Sequence, residues 1–125
     1  MKKIQESSEN YLETILILHQ RKGSVRSIDI AAEMEFSKPS VSVAMKRFRE
    51  NGYIDTDADG FITLLPPGEE IAQRIYSRHK LLTRFLMALG VSEEVAAADA
   101  CKMEHDLSDE TFEKIKAHAQ AHGAG

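Results

Sequence analysis

The stretch that decides the fold is residues 27–53, SIDIAAEMEFSKPSVSVAMKRFRENGY. Ser27 offers a helix cap, and Ile28, Ile30, Ala31, Ala32 and Met34 supply the apolar positions of a short helix. Phe36-Ser37-Lys38-Pro39 reads as a turn. Proline is tolerated in a first helical turn, where its missing N–H has no partner to lose, so another helix is predicted from about Pro39 to Glu50. Asn51-Gly52 ends it. Two short helices joined by such a turn form a helix-turn-helix. Beyond it, Tyr53–Thr56 and Phe61–Leu65 roughly alternate apolar and polar residues around Asp57-Ala58-Asp59-Gly60. Asp-Gly between alternating runs signals a hairpin, and a hairpin after a helix-turn-helix makes a winged helix.

Working outward, residues 7–21 read as an amphipathic helix capped by Ser7 or Ser8, with Tyr11, Leu12, Ile15, Leu16 and Leu18 recurring at helical spacing. Pro66-Pro67-Gly68 punctuates the chain, and a long helix follows from about Gly68 to Leu89, ended by Gly90. Ser92 caps a fifth helix through His105. Ser108 caps a sixth, with Asp109 and Glu110 in the first turn, where the helix dipole favours acids. His118, His122 and Gly123-Ala124-Gly125 read as a fraying tail. The predicted fold is mainly α: a winged helix-turn-helix with a small β-hairpin wing over residues 1–66, then an all-helical domain over residues 67–125.

Composition bounds the chemistry. The 125-residue chain has one cysteine, which excludes an internal disulfide and favours a reducing cytoplasm. No apolar run approaches the ~20 residues that cross a bilayer, and MKKIQESSENYLE lacks the apolar core of a signal peptide. A formal charge of −4, from 16 basic and 20 acidic residues, argues against a protein that coats nucleic acid generically. The total conceals a local field. Lys38, Lys46, Arg47 and Arg49 lie between residues 38 and 49 with no acid among them, leaving 12 basic against 20 acidic side chains, or −8, elsewhere.

That helix opens with Ser37, Pro39, Ser40 and Ser42, small residues that let a helix approach DNA closely. Ser37, Pro39, Ser40 and Val43 are the candidate base-edge readers, Val43 fitting a thymine methyl. Arg26, Lys38, Lys46 and Arg47 are the candidate phosphate contacts. One such unit has a small contact surface, so a dimer on a palindromic double-stranded operator is expected. Ile71, Ile75, Leu82, Phe85, Leu86 and Leu89 form a long apolar stripe, of which Phe85, Leu86 and Leu89 are the candidate dimer contacts.

A second cluster is Cys101-Lys102-Met103-Glu104-His105. On a helix, positions 101, 104 and 105 share a face. Thiolate, carboxylate and imidazole together suit Fe(II), Co(II), Ni(II) or Zn(II) better than Ca(II) or Mg(II). Three ligands from one helix leave the site open, and His79, Asn10 and Glu13 are candidates to complete it.

At these residues the chain resembles the diphtheria toxin repressor and manganese transport repressor family of metal-dependent transcription regulators. The carriers are Glu9-Asn10-Tyr11-Leu12-Glu13-Thr14-Ile15, Ile30-Ala31, Ser37-x-Pro39-Ser40-Val41-Ser42, Asn51-Gly52-Tyr53-Ile54, Arg78-His79-x-Leu81-Leu82 and Cys101-x-x-Glu104-His105-x-Leu107-Ser108. The resemblance implies a winged helix followed by a helical dimerisation domain, and repression when Fe(II) or Mn(II) is bound. Cys101, Glu104 and His105 match the metal-binding helix, with cysteine as in the iron branch. His79 matches the family's histidine on the long helix. Glu13 matches the carboxylate of the manganese branch. Asn10 departs from both branches, and Thr83 and Ala97 replace the iron branch's ancillary glutamate and histidine. The chain stops at Gly125, short of the SH3-like third domain of longer iron repressors.

The expected function is that of a cytoplasmic repressor whose bound metal fixes the first helix and selects one DNA-binding geometry. The alternative is a metal-independent winged-helix regulator that senses redox through Cys101. An enzyme is not expected: Cys101 and His105 lack a visible oxyanion-hole loop or third orienting group. Neither a membrane nor a small organic substrate is expected as a partner.

Overall fold

A computed structural model describes residues 2–122, arranged as α1 (Lys2–Lys22), α2 (Ser27–Met34), α3 (Lys38–Glu50), β1 (Ile54–Thr56), β2 (Ile62–Leu64), α4 (Pro66–Ala88), α5 (Glu93–Asp106) and α6 (Asp109–Ala121). The chain forms two compact units, one ending at Gln73 and one beginning at Arg74, inside α4.

In the first unit, α1 begins well before the serines expected to cap it. Lys2, Lys3, Gln5 and Glu6 are good helix formers, so no feature there stops the helix from extending through Ser7 and Ser8. Leu12, Ile15, Leu16 and Leu18 are buried as their spacing requires. The cap of α2 is Arg26 rather than Ser27, which is the first helical residue. Asp29 supplies the missing acceptor: its Oδ2 takes the Arg26 backbone N–H at 2.9 Å, while Lys22 Nζ donates to its Oδ1 at 2.6 Å. The Lys22 hydrogen bond and then that of Arg26 hold the Asp29 carboxyl below the usual carboxylate range. At the far end of α2, Glu35 takes a left-handed φ of 57°, and the Phe36 N–H reaches back to the Ala31 carbonyl at 3.1 Å. This closes the helix and reverses the chain.

Ser37 then caps α3, accepting the Ser40 N–H at 3.2 Å. Val41, Met45 and Phe48 carry the buried face of α3 at spacings of four and three. The wing pairs antiparallel with Ile54 opposite Leu64 and Thr56 opposite Ile62. Asp57 builds its turn, with Oδ1 accepting the N–H groups of Asp59 and Phe61, both at 2.9 Å. The Ile62 N–H also donates to the Val25 carbonyl at 2.7 Å, tying β2 to the segment before α2. Pro66 and Pro67 open α4 instead of standing apart from it, as fits prolines in a first turn. Gly68 is there for closeness: a Cβ would press into the Tyr53 carbonyl, 3.1 Å from its carbon.

In the second unit, Leu81, Leu82, Ala100 and Phe112 form the core, flanked by Met103, Leu107 and Ile115. Ser108 Oγ accepts the Thr111 N–H at 3.1 Å and caps α6. That helix continues past His118 to Ala121 because Phe112 and Ala119 anchor it, so His118 lies in ordered helix and not in a frayed tail. Gly123, Ala124 and Gly125 fall outside the described residues. Among the described residues no helix is long and apolar enough to cross a membrane.

Candidate metal centre and nucleic-acid interface

In the second unit, α4 and α5 bring three of the expected ligands together. The line Ala96, Ala100, Glu104 is the buried edge of α5, so a carboxylate is driven into the core by the same periodicity that buries the alanines. Glu104 is 1% exposed. His79 of α4 meets it, Nδ1 lying 2.9 Å from Oε2, and His105 Nε2 lies 3.3 Å from Oε1. When Glu104 is ionised its carboxylate only accepts, and the hydrogen of that contact is then donated by His79 Nδ1. An ionised carboxylate is costly to bury without charge-compensating partners. The His79 imidazole on the buried Glu104 carboxylate is a nitrogen–oxygen donor pair of the kind a borderline divalent ion takes, while His105 lies against the other carboxylate oxygen.

Cys101, three residues before Glu104 on α5, is exposed. One helical step of about 100° separates it from buried Ala100, which turns it out of the core although it shares a broad face with Glu104. On α1, Glu13 is 6% exposed and Asn10 is half-buried. A buried carboxylate among Leu12, Ile15 and Leu16 is out of keeping with a purely structural stripe.

Arg78 entered the sequence reading only beside His79 in the resemblance, with no role of its own. It is 8% exposed; Nη2 donates to the Leu107 carbonyl at 3.0 Å, and the guanidinium stacks on Phe112 at 4.6 Å. Arg78 therefore pins the α5–α6 junction beside the His79 cluster. The available signal was a charged residue next to His79 inside an apolar stripe.

In the first unit, the face of α3 opposite Val41, Met45 and Phe48 is open. Pro39, Ser42, Val43 and Lys46 are exposed on it at spacings of three, four and seven, with Ser37, Lys38, Ser40 and Arg47 exposed around them. Val43 is 54% exposed. Ser37 already uses its hydroxyl locally, capping Ser40 and donating to Ser40 Oγ at 2.8 Å. Phe61 of the wing was not foreseen as a site residue, yet the Arg26 guanidinium lies 4.3 Å over its ring.

Of the apolar stripe on α4, Ile75 and Leu82 are core, Phe85 and Leu86 are half-buried, and Leu89 is 67% exposed. Met87 and Val95 are exposed nearby in sequence, at 41% and 50%. The open part of the stripe is thus its C-terminal end.

A winged helix-turn-helix with a basic open helix, in one chain with a helical unit that buries a carboxylate between imidazoles, defines a metal-dependent DNA-binding regulator. Comparison with known proteins agrees. Residues 3–60 match the iron-dependent repressor N-terminal DNA-binding domain, and residues 66–121 match the metal-binding and dimerisation domain of the same repressors. The chain belongs to this iron-dependent repressor family. It is 38% identical over 119 residues to the transcriptional regulator MntR of Salmonella typhimurium, covering 95% of this chain and 76% of that protein. It is 36% identical over 109 residues to the MntR of Geobacillus kaustophilus, covering 87% and 77%.

Among solved structures, the manganese regulator SloR superposes with a TM-score of 0.77 at 27% identity, covering 90% of this chain and 53% of that one. A manganese-dependent transcriptional repressor in complex with manganese superposes with a TM-score of 0.81 at 26% identity, covering 89% and 51%. The chain therefore spans about half the length of these solved relatives. Its sequence relatives are transcription regulators and not enzymes.

Proposed function

We propose that the chain is a cytoplasmic repressor that binds a palindromic operator as a homodimer when loaded with Mn(II) or Fe(II). The observation that carries this reading is the buried Glu104 carboxylate held against His79 and His105. In it, His79, Glu104 and His105 hold the ion, Cys101 joins from α5, Glu13 serves as the α1 carboxylate that the family resemblance implies, and Asn10, which departs from both branches, is the second α1 donor. The metal supplies a compact divalent charge. Glu104 and Glu13 supply the buried negative charge that such an ion offsets.

Residues 1–66 bind DNA in this reading and residues 67–125 hold metal and dimerise. Arg26, Lys38, Lys46 and Arg47 contact phosphates, while Ser37, Pro39, Ser40, Ser42 and Val43 face the groove. Phe85, Leu86 and Leu89 form the dimer contact. The exposure of Met87 and Leu89 at the end of α4 supports that assignment, because apolar side chains exposed together often mark an interaction surface.

Cys101 sets the choice of metal. A thiolate is a softer donor than a carboxylate, and Mn(II) lies lowest in the common affinity order, so Cys101→Glu should shift the preference from Fe(II) toward Mn(II). Metal analysis of anaerobically purified wild type, Cys101→Glu and Glu104→Gln tests the reading. The expected result is stoichiometric metal in wild type, a changed Mn-to-Fe ratio in Cys101→Glu, and loss in Glu104→Gln. Unchanged metal content in Glu104→Gln would overturn it.

A further inference from the structure

His118 and His122 lie one turn apart at the end of α6, both exposed. Their ring centroids are 4.1 Å apart with planes inclined by 30°. The His118 carbonyl receives two bonds from His122, its backbone N–H at 3.1 Å and its ring Nδ1–H at 2.9 Å. A carbonyl can only accept, so the proton of the neutral His122 ring resides on Nδ1 and the lone pair on Nε2. An imidazole whose one nitrogen donates to a backbone carbonyl is oriented as metal-ligating histidines usually are. His118 is steadied from its other side by the Phe85 ring, edge-on at 6.3 Å. The C-terminal end of the helix adds a field that favours cations.

We propose that His118 and His122 form a second metal site, separate from the His79–Glu104–His105 cluster. It takes imidazole-preferring ions, Zn(II), Ni(II) or Cu(II), with water completing the coordination. Two neutral nitrogens and no carboxylate make it a poor site for Mn(II), which prefers oxygen donors. Because Phe85 touches His118, an ion here also adjoins the open end of the α4 stripe.

The test is titration of the tag-free full chain with Zn(II), followed by long-range proton–nitrogen NMR of the five imidazoles. Residue-by-residue readout separates this site from the central cluster. The expected result is that the His118 and His122 ring nitrogens shift together, in step with added Zn(II). His122→Gln, a change at an exposed helix end, should weaken the His118 response about tenfold or more, since losing a ligand costs at least as much as losing a ligand's orienting partner. Unmoved His118 and His122 rings would overturn the proposal. So would a His118 response equally strong in His122→Gln.

Discussion

Arg26 can be separated into its charge and its placement. The guanidinium stands 4.3 Å over the Phe61 ring, while the Arg26 backbone N–H is held independently by Asp29. Arg26→Ala therefore removes the cation and leaves the α2 cap intact. If each subunit of a dimer loses one phosphate contact, the slope of log affinity against log salt should fall by about 1.8, at roughly 0.9 per phosphate. Between 50 and 200 mM salt, that slope change makes the variant's affinity fall about twelvefold less than that of wild type. Phe61→Leu keeps the charge, so its slope should stay near wild type. Its affinity should drop by about 1 kcal/mol per dimer, roughly fivefold, if an exposed cation–π contact of about 0.5 kcal/mol per subunit preorganises the arginine. Fluorescence anisotropy of metal-loaded protein on labelled duplex DNA across that salt range measures both quantities. An Arg26→Ala slope equal to wild type would refute the phosphate contact. A Phe61→Leu slope that falls with Arg26→Ala would refute the division of labour.

Three further outcomes follow from the packing. Gly68→Ala gains about 1 kcal/mol of helix propensity but places a methyl against the Tyr53 carbonyl, with its carbon 3.1 Å and its Cα 3.4 Å away; overpacking against backbone costs about 1–3 kcal/mol, so urea titration should show a net loss of stability, and an equal or higher midpoint would contradict the close approach. Arg78→Met keeps the length of the side chain but removes its bond to the Leu107 carbonyl; a charge-assisted bond contributes about 1.5–3 kcal/mol, and a thermal midpoint unchanged from wild type would show that Arg78 does not pin the α5–α6 junction. Asp29 has its folded pKa lowered by Lys22 and by the Arg26 N–H, so its contribution is present above the unfolded carboxylate value of about 3.9 and is lost as pH falls through the lower folded value. Asp29→Asn should thus be less stable than wild type at pH 7, by on the order of 1 kcal/mol for a partly exposed pair, and the gap should close in strong acid; a gap independent of pH would contradict the sign.

The parts of the fold that were legible in sequence are those set by short-range physics. Ser108 is a cap because its hydroxyl reaches an N–H three residues on; Ser37 does the same for α3, although its stretch read only as a turn. The wing turn is encoded in Asp57 and Gly60, one side chain accepting two N–H groups and one residue taking a left-handed φ of 87°. The Arg26 cap was hidden because its acceptor comes from Asp29 inside the helix, not from the cap residue itself. Gly68 looked like punctuation because its reason lies fifteen residues upstream, in the carbonyl of Tyr53. Phe61 beneath Arg26 is equally nonlocal. Spacing placed Cys101, Glu104 and His105 on one broad face, but it could not say that the Ala96–Ala100–Glu104 line would be the buried edge, with Cys101 turned outward. The His118–His122 pair was lost for a simpler reason: glycines at the end of the chain made the whole segment read as tail.

The central claim is that metal governs DNA binding. The most direct measurement uses a duplex selected from a random-sequence pool by Mn(II)-loaded protein, with anisotropy titrations in chelator, in Mn(II) and in Fe(II) under anaerobic conditions. The account predicts weak binding in chelator and binding about 5–150-fold tighter with metal, the range of a coupling of ~1–3 kcal/mol. Equal affinity with and without metal would contradict it.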